Sequence, residues 1–208
     1  MSLADARLYL VSPARISAGD LADLVPELAD AGVDVIQLRE KEMEAGEVLA
    51  LGRPLAEACR DAGVPFIVND RPDVALALEA DGVHLGQDDL PIDISRRILP
   101  EGVHGLSTHS EEQIEAALRL SPHYIGVGPI NATPTKPGRA GTGLSLVTYA
   151  AKVVDVPWFI TGGMAVDTLG EVLEAGGRRI VVVRAIVEAF DPPAAAAELR
   201  ALLDQVPL

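Results

Sequence analysis

The 208-residue sequence predicts an α/β fold, a (β/α)8 TIM barrel, as a single domain over residues 1–208. Three observations carry this expectation. Eight short apolar runs have strand length, helix-period segments lie between them, and glycine closes several of those segments just before the next strand.

The first run is "RLYLV" (7–11), and "LADLVPELADAG" after it sets Leu21, Leu24, Val25 and Leu28 on one helical face. "VDVIQL" (33–38) leads into "EVLALGRPLAEACRDAG", where Val48, Leu49, Leu55, Ala56 and Cys59 repeat the pattern. "PFIVN" (65–69) and "GVHL" (82–85) are separated by "RPDVALAL". "VHGLS" (103–107) precedes "EEQIEAALRL", "YIGVG" (124–128) precedes a long loop, "WFIT" (158–161) precedes "AVDTLGEVLEAGG", and "RIVVV" (179–183) is the eighth run. The junctions "DAGVDV", "DAGVPF", "EADGVHL" and "EAGGRRI" read as glycine C-caps, because glycine adopts the left-handed conformation cheaply. Pro26 and Pro54 fall inside helical patterns and predict kinks or late helix starts. A unit of about 25 residues suits parallel βαβ connections. Strands apolar on both faces fit a sheet covered by helices outside and filled by side chains inside. An open doubly wound sheet usually stops at five or six strands, and no glycine-rich dinucleotide fingerprint follows the first run.

Composition removes whole classes of function. Net charge is −14 and aromatics make up 3%, which opposes binding to nucleic acid or anionic lipid and leaves no stacking platform for single strands. No apolar run reaches the roughly 18 residues that span a membrane, and "MSLADARLYLV" lacks the features of a signal peptide, so the expectation is a cytoplasmic protein. The lone Cys59 reads as a buried apolar residue. An anionic ligand therefore needs a local cluster of cations and backbone N–H groups.

In this fold, chemistry occupies the C-terminal ends of the strands. "QLREK" ends the second strand, with Gln37, Arg39 and Lys41 on one side and Glu40 on the other, a set suited to phosphate oxygens; the alternative is a solvated charged loop. Asn69 and Asp70 end the third strand, and "GQDD" follows the fourth, so Asp70 and Asp89 are candidate ligands of Mg2+, which takes few carboxylates plus waters and phosphates. Asp70 alone also reads as a helix cap. Ser107 ends the fifth strand as a hydroxyl donor, whereas His109 sits just before the capped helix start "SEEQ". His84 and His104 belong to strands without an assigned role. "GVGPINATPTKPGRAGTG" (126–143) gathers Thr133, Thr135 and Lys136 among prolines and glycines, an anion-holding loop or a disordered one. "TGGM" ends the seventh strand with Gly162 and Gly163, and "VVVRA" ends the eighth with Arg184, where barrels commonly build a phosphate site. Two anion sites and a divalent ion in one mouth imply phosphorylated small-molecule substrates, one of them a diphosphate.

Together "QLREK", "ND", "DGVHLGQDD", "GLSTH", "YIGVGPINATPTK", "TGGM" and "VVVRAI" resemble the thiamine-phosphate synthase family, in order and over essentially the whole chain. The resemblance implies a Mg2+-dependent transferase of thiamine biosynthesis. It would join a hydroxymethylpyrimidine diphosphate to a hydroxyethylthiazole phosphate, releasing diphosphate through a dissociative, carbocation-like step. It implies that Gln37, Leu38, Arg39, Glu40, Lys41, Asn69, Ser107 and Lys136 bind the pyrimidine diphosphate, with Arg39, Lys41, Ser107 and Lys136 catalytic. Asp70 and Asp89 would bind the metal; Thr133, Pro134, Thr135, Gly162, Val183 and Arg184 would bind the thiazole phosphate. Two departures stand out: Val183-Arg184 replaces the family's common Ile-Ser, and "ITGGM" replaces "GIGGI". Rival readings are a thiazole tautomerase-like relative, a phosphosugar isomerase or epimerase, and a non-catalytic phosphometabolite-binding barrel. The sequence leaves a homo-oligomer open.

Overall fold

The computed structural model describes residues 3–132 and 141–208. Eight parallel strands form a closed barrel: β1 (Leu8–Ser12), β2 (Val35–Leu38), β3 (Phe66–Asn69), β4 (Gly82–Leu85), β5 (Val103–Thr108), β6 (Tyr124–Val127), β7 (Trp158–Ile160) and β8 (Ile180–Val182). Each pairs with its sequence neighbour, and β8 returns to β1 through Leu8–Ile180, Tyr9–Val181 and Leu10–Val182. All eight apolar runs of the sequence are these strands.

Strand alternation sorts their side chains into two cores. Leu8, Leu10, Ile36, Leu38, Phe66, Val68, Val83 and Leu85 face outward and pack with the helices. Tyr9, Val11, Val35, Ile67, Val103, Tyr124 and Phe159 face inward and fill the lumen. The outer layer holds α1 (Leu21–Asp30), α2 (Ala45–Ala62), α3 (Pro72–Ala77), α4 (Ile92–Ile98), α5 (Glu111–Arg119), α6 (Leu144–Val153), α7 (Val166–Glu174), α8 (Arg184–Val187) and α9 (Pro192–Leu203). A two-stranded antiparallel ribbon, Arg15–Ile16 with Gly19–Asp20, leads into α1.

Three of the four glycine junctions behave as expected: Gly32, Gly63 and Gly176 lie in the left-handed region after α1, α2 and α7. Gly82 differs. It opens β4, and a Cβ there would come within 2.2 Å of the Val103 carbonyl oxygen, so glycine serves close strand packing. Neither proline delays its helix: α1 and α2 begin at Leu21 and Ala45 and run through Pro26 and Pro54. Buried faces including Leu21, Val25 and Leu28, and Val48, Leu55 and Cys59, offset the roughly 3 kcal/mol an interior proline costs.

The N-terminal end of the barrel is closed by arginines. Arg7, buried, donates to the Val206 carbonyl at 2.9 Å, while Arg179 donates to the Ala4 and Ala6 carbonyls at 2.6 and 3.1 Å. Arg200 bonds Asp34 at 2.9 Å, and Asp34 in turn accepts the Arg7 and Leu8 N–H groups. At the C-terminal end, polar side chains including Gln37, Asn69, His84 and Ser107 line a cavity instead.

Candidate active site

A cavity of about 340 Å³ opens at the C-terminal ends of the strands. Gln37, Arg39, Asn69, His84 and Ser107, from β2 to β5, line one wall. Thr161, Gly162, Gly163, Val183 and Arg184, after β7 and β8, line the other. Tyr9, Tyr124 and Phe159 form its floor, with rings 5.2–5.9 Å apart at tilted or edge-on angles.

Gln37 and Ser107 reach this wall because they share the inward phase of their strands, and both are buried. Gln37 Nε2 donates to Tyr9 Oη at 2.7 Å, and Ser107 Oγ pairs with His84 Nε2 at 2.8 Å. Arg39 follows β2, its N–H donating to the Ser12 carbonyl at 2.9 Å, and its half-buried side chain lines the cavity. The "QLREK" neighbours divide their work. Leu38 packs outward against the helix layer, 1% exposed. Glu40 accepts the Ala14 N–H at 2.8 Å and so holds the loop after β1. Lys41 Nζ lies 2.6 Å from Asp70 Oδ2.

Asp70 begins an acidic pair beside Asn69. Its backbone is left-handed, φ 65°, which turns the chain sharply at the end of β3, while its N–H donates to the His84 carbonyl at 2.8 Å. Burial pushes its carboxyl up, but hydrogen bonds from Asp89 and Lys41 and the nearby positive charge outweigh this and hold it below the usual range. For Asp89, burial and then the hydrogen bond and charge of Asp70 push the carboxyl up, against an opposing bond from the Gly86 N–H at 2.6 Å. Two carboxylates this close share a proton or take a cation between them. Among the described residues no group of three or more His, Cys, Asp or Glu could hold a metal. A two-carboxylate set still fits Mg2+, which completes its shell with waters and substrate phosphates.

On the opposite wall, Gly162 and Gly163 have φ of 109° and 74°. A Cβ at Gly162 would come within 2.5 Å of Ile130 N and 2.7 Å of Pro129 Cα, so glycine is required there to let β7 pass the segment after β6. Thr168 Oγ1 donates to the Gly163 carbonyl at 2.8 Å, joining that turn to α7. Val183 and Arg184 stand at the start of α8, with Arg184 exposed at the cavity margin. Thr133, Pro134, Thr135 and Lys136 lie outside the described residues. The flanks of their segment are tied together, Thr142 and Gly143 N–H donating to the Pro129 and Ile130 carbonyls at 2.8 and 2.9 Å.

Ser110 caps α5 as expected, its Oγ accepting the Gln113 N–H at 3.3 Å. His109 lies just before that cap. Its Nδ1 pairs with the Gly128 carbonyl and its N–H donates to Gln113 Oε1, so it joins the ends of β5 and β6. Sequence reasoning passed over His84, Tyr9 and Tyr124, which the structure places in the lumen in one hydrogen-bonded chain with Gln37 and Ser107. The available signal was phase: counted along their strands, these three fall on the inward side that Gln37, Asn69 and Ser107 also occupy.

Among the described residues, no helix is long and apolar enough to cross a membrane. A family model described as thiamine monophosphate synthase matches residues 8–186. A thiamine-phosphate synthase of Acidothermus cellulolyticus is 54% identical over 205 residues, covering 97% of each chain. One from Streptomyces avermitilis is 51% identical over 199 residues, covering 94% of this chain and 93% of its own. Among solved structures, a thiamine phosphate pyrophosphorylase from Pyrococcus furiosus superposes with a TM-score of 0.87 at 31% identity, covering 97% of both chains. A 3-hexulose-6-phosphate synthase, at 21% identity and a TM-score of 0.66, shares the fold.

Proposed function

The chain belongs to the thiamine monophosphate synthase family, and from that premise we propose how its barrel mouth performs the reaction. The activity is that of a thiamine-phosphate synthase, a transferase of thiamine biosynthesis. A pyrimidine methyl diphosphate and a thiazole ethyl phosphate combine to give thiamine monophosphate and diphosphate. The observation that carries this is identity of about half with thiamine-phosphate synthases over nearly the full chain.

The bond from the pyrimidine's exocyclic carbon to the diphosphate oxygen breaks, and its electron pair leaves with the diphosphate. The thiazole nitrogen then gives its pair to the same carbon. The product is a thiazolium, so no base removes a proton from that nitrogen. In our reading Arg39, Lys41 and Lys136 neutralise charge growing on the leaving group, and Ser107 donates a hydrogen bond. Gln37 and Asn69 orient the pyrimidine; Leu38 contributes backbone and Glu40 holds the adjoining loop. Thr133, Pro134, Thr135, Gly162, Val183 and Arg184 receive the thiazole phosphate. Holding both phosphates makes the encounter effectively unimolecular, worth up to roughly 7–11 kcal/mol in favourable cases. Asp70 and Asp89 would hold Mg2+, which when bound supplies charge neutralisation at the diphosphate. The two abutting carboxylates, one held low and one pushed up, support that assignment. Residues 1–208 act as one catalytic domain, in the cytoplasm.

The test mixes both precursors with purified protein, with and without Mg2+. Equal amounts of thiamine monophosphate and diphosphate, dependent on both substrates and the metal, are expected. Conversion of the thiazole phosphate alone, with no diphosphate release, would favour the tautomerase reading instead.

A further inference from the structure

The lumen's buried hydroxyls and imidazole form a chain whose direction can be deduced. Tyr9 on β1 and Tyr124 on β6 are each 1% exposed, so their phenol groups need partners inside the protein. Gln37 Nε2 stands 2.7 Å from Tyr9 Oη, and Tyr9 Oη 2.9 Å from Tyr124 Oη. Tyr124 Oη is 3.0 Å from His84 Nδ1, and His84 Nε2 is 2.8 Å from Ser107 Oγ.

An amide nitrogen carries only hydrogens, so Tyr9 Oη accepts from Gln37. Among the described residues its other partner is Tyr124, and its single proton goes there. Tyr124 then spends its proton on His84 Nδ1. That nitrogen is an acceptor, so the ring in its neutral form carries its hydrogen on Nε2 and donates to Ser107. Ser107 accepts, and its own proton is directed elsewhere, toward the cavity it lines. The opposite direction would leave the Tyr9 proton buried without an acceptor, a cost of about 1–3 kcal/mol. Burial pushes both phenols above their ordinary range, so each stays protonated and able to donate.

We propose that Tyr9 and Tyr124 are positioning residues: a one-way relay from Gln37 fixes the His84 tautomer and commits the Ser107 hydroxyl to donate to an acceptor atom of the pyrimidine diphosphate. This rests on the function proposed above for the kinetic arm of its test, and not for the spectroscopic arm. The same relay couples the two ends of the wall. With Nε2 turned to Tyr9, the Gln37 carbonyl oxygen is the end that remains for a donor group on the ligand.

The spectroscopic arm uses 15N-labelled, ligand-free wild-type protein at pH 7.5, with long-range 1H–15N correlations of the histidine rings and His84 assigned from a His84→Gln sample. His84 protonated on Nε2 is expected; His84 protonated on Nδ1 overturns the relay. In the kinetic arm, Tyr124→Phe lowers kcat on the order of tenfold while the KM for the thiazole phosphate is unchanged. In a Ser107→Ala background the same substitution has no further effect. Equal losses in both backgrounds, or full activity of Tyr124→Phe, overturn the proposal. If Tyr124→Phe does not fold, Tyr9→Phe interrupts the relay one link upstream and is read in the same way. Wild-type protein inactive toward both precursors would sink the functional reading, while the tautomer result would stand by itself.

Discussion

Replacing Gly105 with alanine should drive the Tyr124 ring out of its place in the lumen. The new Cβ would lie 2.1 Å from Tyr124 Cζ, 2.4 Å from Cε1 and 2.5 Å from Oη. Carbon atoms in contact sit about 3.5–4.0 Å apart, so the ring edge must withdraw by about 1.4 Å or more. It has little room: Tyr9 and Phe159 are 5.9 and 5.7 Å away between ring centroids, and the His84 ring stacks at 5.5 Å. Overpacking of this kind costs about 1–3 kcal/mol. Withdrawal also breaks the bonds to Tyr9 and His84, at about 1 kcal/mol each. The sum is about 3–5 kcal/mol. For a chain of this size each kcal/mol shifts Tm by about 2–4 °C, so a fall of roughly 6–20 °C is expected in a far-UV circular dichroism melt. Turnover should fall with it, because His84 loses its partner. A variant melting within about 2 °C of wild type with full turnover would refute the packing argument.

Asp89→Asn should raise the Mg2+ concentration for half-maximal turnover by about tenfold or more without lowering Tm, because it removes one proposed ligand and relieves a crowded carboxylate pair; an unchanged Mg2+ requirement would remove Asp89 from the metal site. Arg184→Ser should raise the KM for the thiazole phosphate by about tenfold, the worth of one charge-assisted hydrogen bond, and leave that for the pyrimidine unchanged. Equal KM values would place Arg184 outside the phosphate site. Acid should destabilise the fold through His104 and His123, whose stacked rings lie 6.0 Å apart behind β5. Burial, and then for His123 the charge of Arg96, lowers both below the ordinary value near 6.5. The unfolded chain therefore binds more protons than the native state, so this contribution is complete above about pH 6.5 and is lost as pH falls toward the folded values. Melts from pH 8 to pH 5 should show Tm declining below that point, more shallowly in His104→Gln; parallel curves would refute the assignment.

The barrel was legible because each strand is a compact apolar run and glycine marks three of the turns into the next one, as Gly32, Gly63 and Gly176 do. The wall formed by Gln37, Arg39, Asn69 and Ser107 was legible because polar residues at strand ends contrast with the apolar run before them. The lumen was harder to read. Strands buried on both faces show no polar–apolar alternation, so only the count along the strand sets His84 inward between the outward Val83 and Leu85, and nothing local says that Tyr9 meets Tyr124 across the barrel. Gly105 illustrates the same limit: its reason is a ring contributed by the neighbouring strand, 19 positions on, and paired to it by register. Glu40 and Lys41 are adjacent in sequence yet serve different partners, Ala14 and Asp70, which only the folded loops bring within reach.

A ring of strands has no first or last member. Because β8 bonds back to β1, every strand of the barrel has a bonded neighbour on each side, and no lateral row of N–H and C=O groups is offered to a passing chain. Growth by adding strands, the usual route from a sheet protein to a fibril, finds no starting point on this barrel.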